Sequence, residues 1–208
     1  MKLYDYYRST ASYRVRIALH LKQIPYEKCP IHLINQGGEQ HRSHYLELNP
    51  QGLVPTLDDN GVVLCQSLAI IDYLDEKYPT PPLLPMDPIA RAHIKSLALI
   101  IACDVHPLNN LRVLQRLKTD FKATESQVEA WYHHWLKMGF DAFELKLQRL
   151  PRSKDVCYGS EISLADLCLI PQVFNANRFN FPMDDYPLIR RINDHCQMIK
   201  AFVEAAPW

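Results

Sequence analysis

A proline-rich stretch, KYPTPPLLPMDP at residues 77–88, restricts more than any other feature how this chain can fold. Its five prolines exclude a continuous helix or a central sheet strand, because proline lacks the backbone N–H donor and its ring fixes φ. Such a composition favours an extended connector. We therefore predict one domain at residues 1–80, a linker at 81–88 and a second domain at 89–208.

Patterns typical of strands and helices alternate before the linker. The predicted elements, in chain order, are a strand at Lys2–Tyr7, a helix at Ala11–Lys22, a strand at Tyr26–Leu33, two hairpin strands at Pro55–Leu57 and Val62–Cys65, and a helix at Leu68–Lys77. Pro30 favours a sheet edge or a strand end, and Asn60-Gly61 marks a tight hairpin. A polar, weakly helical stretch separates the second strand from the hairpin. This order predicts a small mixed sheet of the thioredoxin type, since a strand–helix–strand unit pairs its strands in parallel.

Apolar residues at helical spacing fill the chain after the linker. Thr124 with Gln127, and Ser163 with Asp166, have the spacing of a capping box, which marks the start of a helix. Pro107 predicts a kink in the first long helix. We therefore expect the second domain to be all-α.

Charge and composition argue against two classes of partner. The chain has 23 Lys+Arg and 23 Asp+Glu, which gives no general attraction to nucleic acid or to an anionic membrane. No apolar run is long enough to span a bilayer, and the N-terminus MKLYDYY has the pattern of neither a signal peptide nor a transit peptide. We therefore expect a cytoplasmic protein.

The cysteines and histidines do not predict a metal site. The six cysteines, at positions 29, 65, 103, 157, 168 and 196, form no CxxC pair, and their spacing suits no zinc site. His41 and His44 could share a helix face, but no third ligand accompanies them. In a reducing compartment, cysteines with apolar neighbours are expected to be small core residues.

A cluster of hydroxyls and an arginine, Arg8-Ser9-Thr10-Ala11-Ser12, stands between the first strand and the first helix. Serine and threonine are favoured N-caps, since their oxygens accept hydrogen bonds from the free N–H groups of the first turn. A helix N-terminus also favours an anion, and added hydroxyl donors could stabilise a thiolate, phosphate or carboxylate. The stretch alone favours the capping interpretation and leaves the second one open.

Five motifs occur in the order RSTASYRVRIAL, NPQGLVPTL, QSLAIIDYL, DVHPLNNLRVL and LADLCLIPQVFNANRF. They resemble those of the maleylacetoacetate isomerases, the zeta class of the cytosolic glutathione transferases, and the resemblance runs from about residue 3 to residue 205. It implies an α/β thioredoxin-like N-terminal domain followed by an all-α C-terminal domain. It also implies glutathione as a cofactor and a homodimeric assembly.

The resemblance also assigns residues to glutathione. Val54 and Pro55 would form a cis peptide bond that presents the backbone of Val54 to the cysteinyl part, Ser67 would bind the γ-glutamyl carboxylate, and Gln40 would reach the glycyl end. The implied glutathione-binding set is Ser9, Thr10, Ala11, Gln40, Val54, Pro55, Gln66, Ser67, His106, Asn110 and Arg112. Many members carry glutamine where this chain has His106, so a structural role beside Pro107 is an alternative.

Ser9 and Thr10 are the catalytic residues that the resemblance implies. A hydrogen bond donated by Ser9 to the glutathione sulfur would lower the thiol pKa from its free value of about 8.5. Many members have serine in place of Thr10 and cysteine in place of Ala11, and the absent cysteine argues against a disulfide-exchange role. Tyr6 and Tyr7 are rivals for the thiol, although we expect them mainly to be strand residues, one facing inward and one outward.

The implied reaction is the conversion of maleylacetoacetate into fumarylacetoacetate by thiolate addition, bond rotation and elimination. Its anionic substrate requires cations. Arg8, beside Ser9, is one candidate, and Arg178, at the end of NANRF, is the other and matches a family position implicated in substrate binding. The sequence leaves open three alternatives: a maleylpyruvate isomerase, a broader transferase acting on α-halo acids, and a non-catalytic interaction module.

Overall fold

The computed structural model describes residues 1–207, without the side chain of Gln36. The chain divides into two compact units. The first comprises Met1–Leu83 and the chain from Gln197 onward, and the second comprises Leu84–Cys196. The division after Leu83 falls within the proline-rich stretch. The segment from Gln197 joins the first unit, whereas the sequence pattern assigned all residues from 89 onward to a single domain, because helical periodicity does not reveal which core a helix will join.

The first unit contains a four-stranded mixed sheet in the order β2-β1-β3-β4. Its strands are β1 (Lys2–Asp5), β2 (Glu27–Pro30), β3 (Thr56–Asp59) and β4 (Val62–Cys65). Strand β1 pairs in parallel with β2 and antiparallel with β3, and β3 pairs antiparallel with β4. The predicted sheet is confirmed, and Pro30 lies at the end of an edge strand, as its chemistry requires.

Helices α1 to α9 are, in chain order, Thr10–Leu21, Ser43–Leu46, Ser67–Lys77, Pro88–Leu99, Leu111–Asp120, Glu125–Arg149, Leu164–Arg178, Pro187–Cys196 and Lys200–Ala205. The first unit holds α1, α2, α3 and α9, and the second holds the five helices α4 to α8. Two short 3₁₀ turns, at Asn35–Gly37 and Glu39–His41, precede α2. The predicted weakly helical stretch is therefore only partly helical.

Two predicted strands are longer than the observed ones. The first ends at Asp5 and does not reach Tyr7, because the Ser9 N–H donates a hydrogen bond to the Tyr6 carbonyl at 2.8 Å and closes a turn. The second covers only Glu27–Pro30. The hairpin is confirmed: Asn60 and Gly61 both have positive φ, 55° and 89°, as a two-residue type I′ turn requires.

Helix α1 lies in the centre of the first unit and packs against α3 and α9. Every residue from Thr10 to Leu19 is buried, including the charged Arg14 and Arg16. Another buried charge, Asp59, ties the sheet to α3. The Asp59 carboxylate of β3 accepts hydrogen bonds from the Lys77 ammonium and, at 2.5 Å, from the Tyr73 hydroxyl.

The second unit is helical throughout its described elements, as the sequence predicted. Both capping boxes are confirmed, with Thr124 before α6 and Ser163 before α7. The buried Glu144 of α6 accepts hydrogen bonds from the backbone N–H groups of Leu188 and Ile189, at 2.8 and 3.0 Å. These bonds satisfy free donors in the first turn of α8. Within residues 1–207, no helix combines the length and apolarity that a membrane span requires.

The region around Pro107 differs from the predicted kink. Helix α4 continues directly into a π-helix, Ile100–Val105, and then stops, and α5 begins only at Leu111. Proline removes a donor and its ring collides with the preceding turn, so the chain leaves the helix instead of bending it. The π-helix also packs closely against α6, where a Cβ on Gly139 would lie 2.1 Å from Val105 Cγ2.

Candidate active site

Ser9 caps the N-terminus of α1. Its backbone is extended, with φ −70° and ψ 120°, and its Oγ accepts a hydrogen bond from the Ser12 N–H at 3.2 Å. The capping interpretation is therefore correct, and it does not compete with the interpretation that Ser9 helps to bind an anion. A hydroxyl carries one proton and two lone pairs, so a capping Ser9 can still donate its own hydrogen to an anion beside the positive end of α1.

The turn before Ser9 separates the two tyrosines as predicted. Tyr6 is 7% exposed and Tyr7 is 40% exposed. Arg8 is exposed, and its guanidinium carbon lies 5.1 Å from the centre of the Tyr7 ring, within range of a cation–π contact. Thr10 and Ala11 are buried in the first turn of α1. Because their side chains are buried, Thr10 and Ala11 can contact a bound molecule more readily through their backbone N–H groups.

The start of α3 forms a second group of polar residues. Ser67 is the first residue of the helix and is buried, and the Arg14 Nη1 donates to its Oγ at 3.3 Å. Gln66 precedes it with φ 71° and ψ 115°, a conformation that is costly for a residue with a side chain. Its amide nitrogen donates to Gln51 Oε1 at 2.7 Å. Two helix N-termini and two serine hydroxyls therefore belong to this unit.

The peptide bond between Val54 and Pro55 is cis, as the resemblance implied. The loop before it is fixed at Leu53, whose carbonyl accepts hydrogen bonds from the Tyr45 hydroxyl at 2.6 Å and from the Asn49 side-chain amide at 2.7 Å. Burial raises the pKa of Tyr45 to about 12, so this hydroxyl stays protonated and keeps donating.

Gln40 is buried beside this loop, and its amide nitrogen makes a long hydrogen bond of 3.4 Å to the Leu33 carbonyl. Its Oε1 is buried and has no partner among the described residues. A buried acceptor without a donor is costly. The atom is therefore suited to an N–H group of a bound molecule.

The remaining predicted site residues lie in the second unit. His106 is half-buried at the end of the π-helix, next to Pro107. Asn110 is the N-cap of α5 and accepts a hydrogen bond from the Arg112 N–H at 3.2 Å, while the Arg112 side chain is exposed. Asn110 thus has a structural role whether or not it also contacts glutathione.

Arg178 is the last residue of α7 and is exposed on an aromatic support. Its Nη1 donates to Asn175 Oδ1 at 3.0 Å, and its guanidinium carbon lies 5.4 Å from the centre of the Phe179 ring. Phe179 in turn stacks on Tyr132, with ring centres 3.9 Å apart and an interplanar angle of 17°. The guanidinium is therefore held in place on one side and open on the other.

Three polar residues of the site region did not emerge from the sequence motifs: Arg14, Arg16 and Gln51. For the arginines a signal was present, since both occur within an otherwise apolar helical pattern, where a charged residue is rare unless it has partners. No comparable signal distinguishes Gln51 from other loop residues.

Buried thiols and an absence of grouped metal ligands limit what other chemistry the described residues can perform. Burial raises the pKa of the Cys157 and Cys196 thiols well above the usual range, so both stay protonated. The exposed cysteine is Cys103. Throughout residues 1–207, no three His, Cys, Asp or Glu side chains are grouped so that they could hold a metal ion.

Comparison with known proteins places this geometry in a family. A family model described as the glutathione S-transferase N-terminal domain matches residues 3–82. A probable maleylacetoacetate isomerase from Vibrio cholerae is 47% identical over 205 residues, which cover 99% of this chain and 94% of that protein. A holo structure of maleyl pyruvate isomerase, described as a bacterial zeta-class glutathione S-transferase, is 45% identical, with a TM-score of 0.97 over 100% of this chain and 97% of the other. The chain belongs to the zeta-class glutathione S-transferases.

A third relative carries small ligands. The maleylacetoacetate isomerase of Methylobacterium extorquens AM1 is 38% identical, with a TM-score of 0.95 over 100% of this chain and 96% of the other, and was solved with malonate and glutathione bound. The predicted architecture, a thioredoxin-like domain followed by a helical one, is therefore confirmed as that of the zeta-class family. The exposed Arg8 and Arg178 occur in a family in which one relative binds a dicarboxylate.

Proposed function

We propose that the chain is a glutathione-dependent cis–trans isomerase that converts maleylacetoacetate into fumarylacetoacetate. The observation that carries this proposal is the geometry of Ser9, which caps α1 with its oxygen and keeps its proton for an anion. A relative named maleylacetoacetate isomerase was solved with glutathione, which supports glutathione as the cofactor here.

The residues of the first unit fit glutathione. The unpartnered Oε1 of Gln40 suits an N–H group of the glycyl end, and Ser67 at the N-terminus of α3 suits the γ-glutamyl carboxylate. Because Arg14 donates to Ser67 Oγ, that bond does not use the Ser67 hydroxyl proton, which can be donated to a carboxylate. The backbone of Val54, before the cis bond, would pair with the cysteinyl part.

Ser9 stabilises negative charge during the reaction. When bound, glutathione supplies a thiolate that adds to the cis double bond of the substrate and leaves after rotation about the resulting single bond. The Ser9 hydroxyl donates to the sulfur whenever it is charged, before addition and after elimination, and the N–H groups of Thr10 and Ala11 add the positive end of the helix. No group of the chain needs to be consumed or oxidised.

Arg8 and Arg178 would bind the anionic ends of the substrate. A guanidinium offers two parallel donors to a carboxylate, and Arg178 is already oriented by Asn175 and Phe179. His106, Asn110 and Arg112 remain predicted glutathione contacts, and the capping role of Asn110 is compatible with such a contact.

A maleylpyruvate isomerase is the second candidate, and the holo relative with a TM-score of 0.97 is the observation that favours it. Both reactions need a thiolate and anion-binding arginines. Turnover of the two substrates should be compared at equal concentration with glutathione, without it, and with S-methylglutathione, which has no free thiol. Turnover of neither substrate would refute the proposed function. Equal turnover with S-methylglutathione would refute the thiolate mechanism.

We also propose that the protein is a cytoplasmic homodimer. Exposed apolar side chains support an interface, since Val62 on the edge strand β4 is 54% exposed and Ile89 on α4 is 68% exposed. Sedimentation at micromolar concentration should detect twice the chain mass of 24.2 kDa. Detection of the single-chain mass alone would contradict the dimer.

A further inference from the structure

Arg16 joins three separate segments of the first unit through one buried guanidinium. Its Nη1 donates to both carboxylate oxygens of Asp5, at 2.8 and 2.7 Å, and its Nη2 donates to the Tyr7 carbonyl at 3.0 Å. Its Nε donates to the Ala205 carbonyl at 2.7 Å. The end of β1, the turn before Ser9 and the last turn of α9 therefore share one cation.

The Tyr7 carbonyl belongs to the turn that sets the direction of the Ser9 side chain. The Ser9 N–H closes this turn on the Tyr6 carbonyl at 2.8 Å, and Arg16 holds the next carbonyl along the chain. With both carbonyls fixed, few backbone rotations remain between β1 and α1. A catalytic hydroxyl must be held within about 0.5 Å of its working position, which requires supporting groups of this kind.

Helix α9 is the other end of this connection. The Tyr13 hydroxyl of α1 donates to the Phe202 carbonyl at 3.0 Å, and the Phe202 side chain is fully buried. Ala205 ends α9, where carbonyls lack partners within the helix and a cationic donor is favourable. A displaced α9 would remove one of the three acceptors that orient Arg16.

We propose that Arg16 is a positioning residue for Ser9, and that α9 belongs to the same device because it fixes Arg16. The Arg16 guanidinium is buried and bonded to Asp5, Tyr7 and Ala205, so its effect on Ser9 would pass through the Tyr7 carbonyl. The inference rests on the proposed function, in which Ser9 stabilises the thiolate of glutathione. It adds that a helix outside the matched thioredoxin-like region is needed to set the strength of that stabilisation.

Lys22, the C-cap residue of the same helix, offers a matched control. Its side chain is fully buried, and its ammonium donates to Asp75 Oδ1 at 2.8 Å and to the carbonyls of Tyr78 and Pro81 at 2.6 and 2.8 Å. Replacing Lys22 therefore removes a buried cation with one carboxylate and two carbonyl partners, as replacing Arg16 does. The contacts of Lys22 lie away from the Ser9 turn.

The test measures the pKa of the thiol of bound glutathione, read from the ultraviolet absorbance of the thiolate during a pH titration. Arg16→Lys keeps the charge but cannot reach all four acceptor oxygens on the three partner residues, and Arg16→Met removes every donor. Phe202→Ala loosens α9 without touching Arg16. We expect both Arg16 variants and Phe202→Ala to raise the thiol pKa by about one unit, which lowers the ratio of thiolate to thiol about tenfold at a given pH. Lys22→Met should lower the melting temperature and leave the thiol pKa unchanged.

Ser9→Ala, titrated in parallel, separates this inference from the proposed function. If Ser9→Ala leaves the thiol pKa unchanged, the proposed role of Ser9 is wrong and the inference falls with it. If Ser9→Ala raises the thiol pKa but Arg16→Lys does not, only the inference is overturned. An equal rise in Lys22→Met would also overturn it, because general loosening of α1 would then explain the effect.

Discussion

Replacing Ser9 with alanine should reduce turnover far more than it reduces stability. The substitution removes two interactions, the hydrogen bond from the Ser12 N–H to Ser9 Oγ and the proposed bond from Ser9 to the thiolate. Losing an N-cap costs about 1 kcal/mol of folding free energy. For a chain of this size, that lowers the melting temperature by about 2–4 °C.

The loss of the bond to sulfur is larger in its effect on rate. A hydrogen bond to a charged group is worth about 1.5–3 kcal/mol, which corresponds to a loss of about 10- to 150-fold in turnover. The loss should shrink as pH rises towards the pKa of the free thiol, because the thiolate then forms without help. The assay is isomerisation of maleylacetoacetate at saturating glutathione across a range of pH.

Thr124→Ala provides the matched control. Thr124 caps α6 through the same kind of side-chain bond, to the Gln127 N–H, and lies in the second unit. It should lower the melting temperature by a similar amount and leave turnover unchanged. If Ser9→Ala retains near-wild-type turnover while Tyr6→Phe or Tyr7→Phe abolishes it, a tyrosine activates the thiol and the reasoning from Ser9 is wrong.

Three further substitutions test other parts of the structure. Arg178→Ala should raise the KM for the substrate more than Arg178→Lys does, because lysine keeps the charge and loses only the planar fork. Glutathione affinity, measured in the same two variants, should barely change. An unchanged KM in Arg178→Ala would remove Arg178 from the site. Asp59→Asn should flatten the dependence of stability on pH in acid. Hydrogen bonding, chiefly from Lys77, lowers the pKa of Asp59 in the folded protein. Its ionised form therefore stabilises the fold above the unfolded pKa of about 3.9, and this stability is lost as pH falls through the lower folded pKa. Equal acid sensitivity of the wild type and Asp59→Asn in denaturant titrations would contradict this. Gly139→Ala should destabilise the fold by about 1–3 kcal/mol through its collision with Val105, and adding Val105→Ala should recover part of the loss; full tolerance of the single variant would show that the π-helix can move away.

Local chemistry made some of the fold predictable from the sequence. Asn60-Gly61 specified a hairpin because few residue pairs tolerate positive φ at two consecutive positions. Thr124 and Ser163 marked helix starts because each begins a capping box, whose side chains satisfy backbone donors within three residues. In each case, the residues that carry the signal are also the residues that make the contact.

Other features depend on parts of the chain that are distant in sequence. Gln66 has positive φ although glutamine is not favoured there, and only the surrounding structure maintains that conformation. The location of α9 in the first unit depends on Tyr13 and Arg16, which lie near the other end of the chain. The candidate site has the same limit. Ser9 and Ser67 could be named from motifs. Arg14 and Arg16 stood out only as charges in an apolar helix, and their bonds to Ser67 and to the turn before Ser9 became evident from three-dimensional contacts.

The discontinuous first unit has a consequence for how the protein is made. A ribosome completes β1 to α3 early, but α9 appears only after all of Leu84–Cys196 has been translated. At about 5–20 residues per second, that interval is on the order of ten seconds. During this time the nascent α1 lacks the helix that will cover Tyr13 and accept from Arg16. We therefore expect the early segment to keep part of its apolar surface uncovered until the last helix emerges.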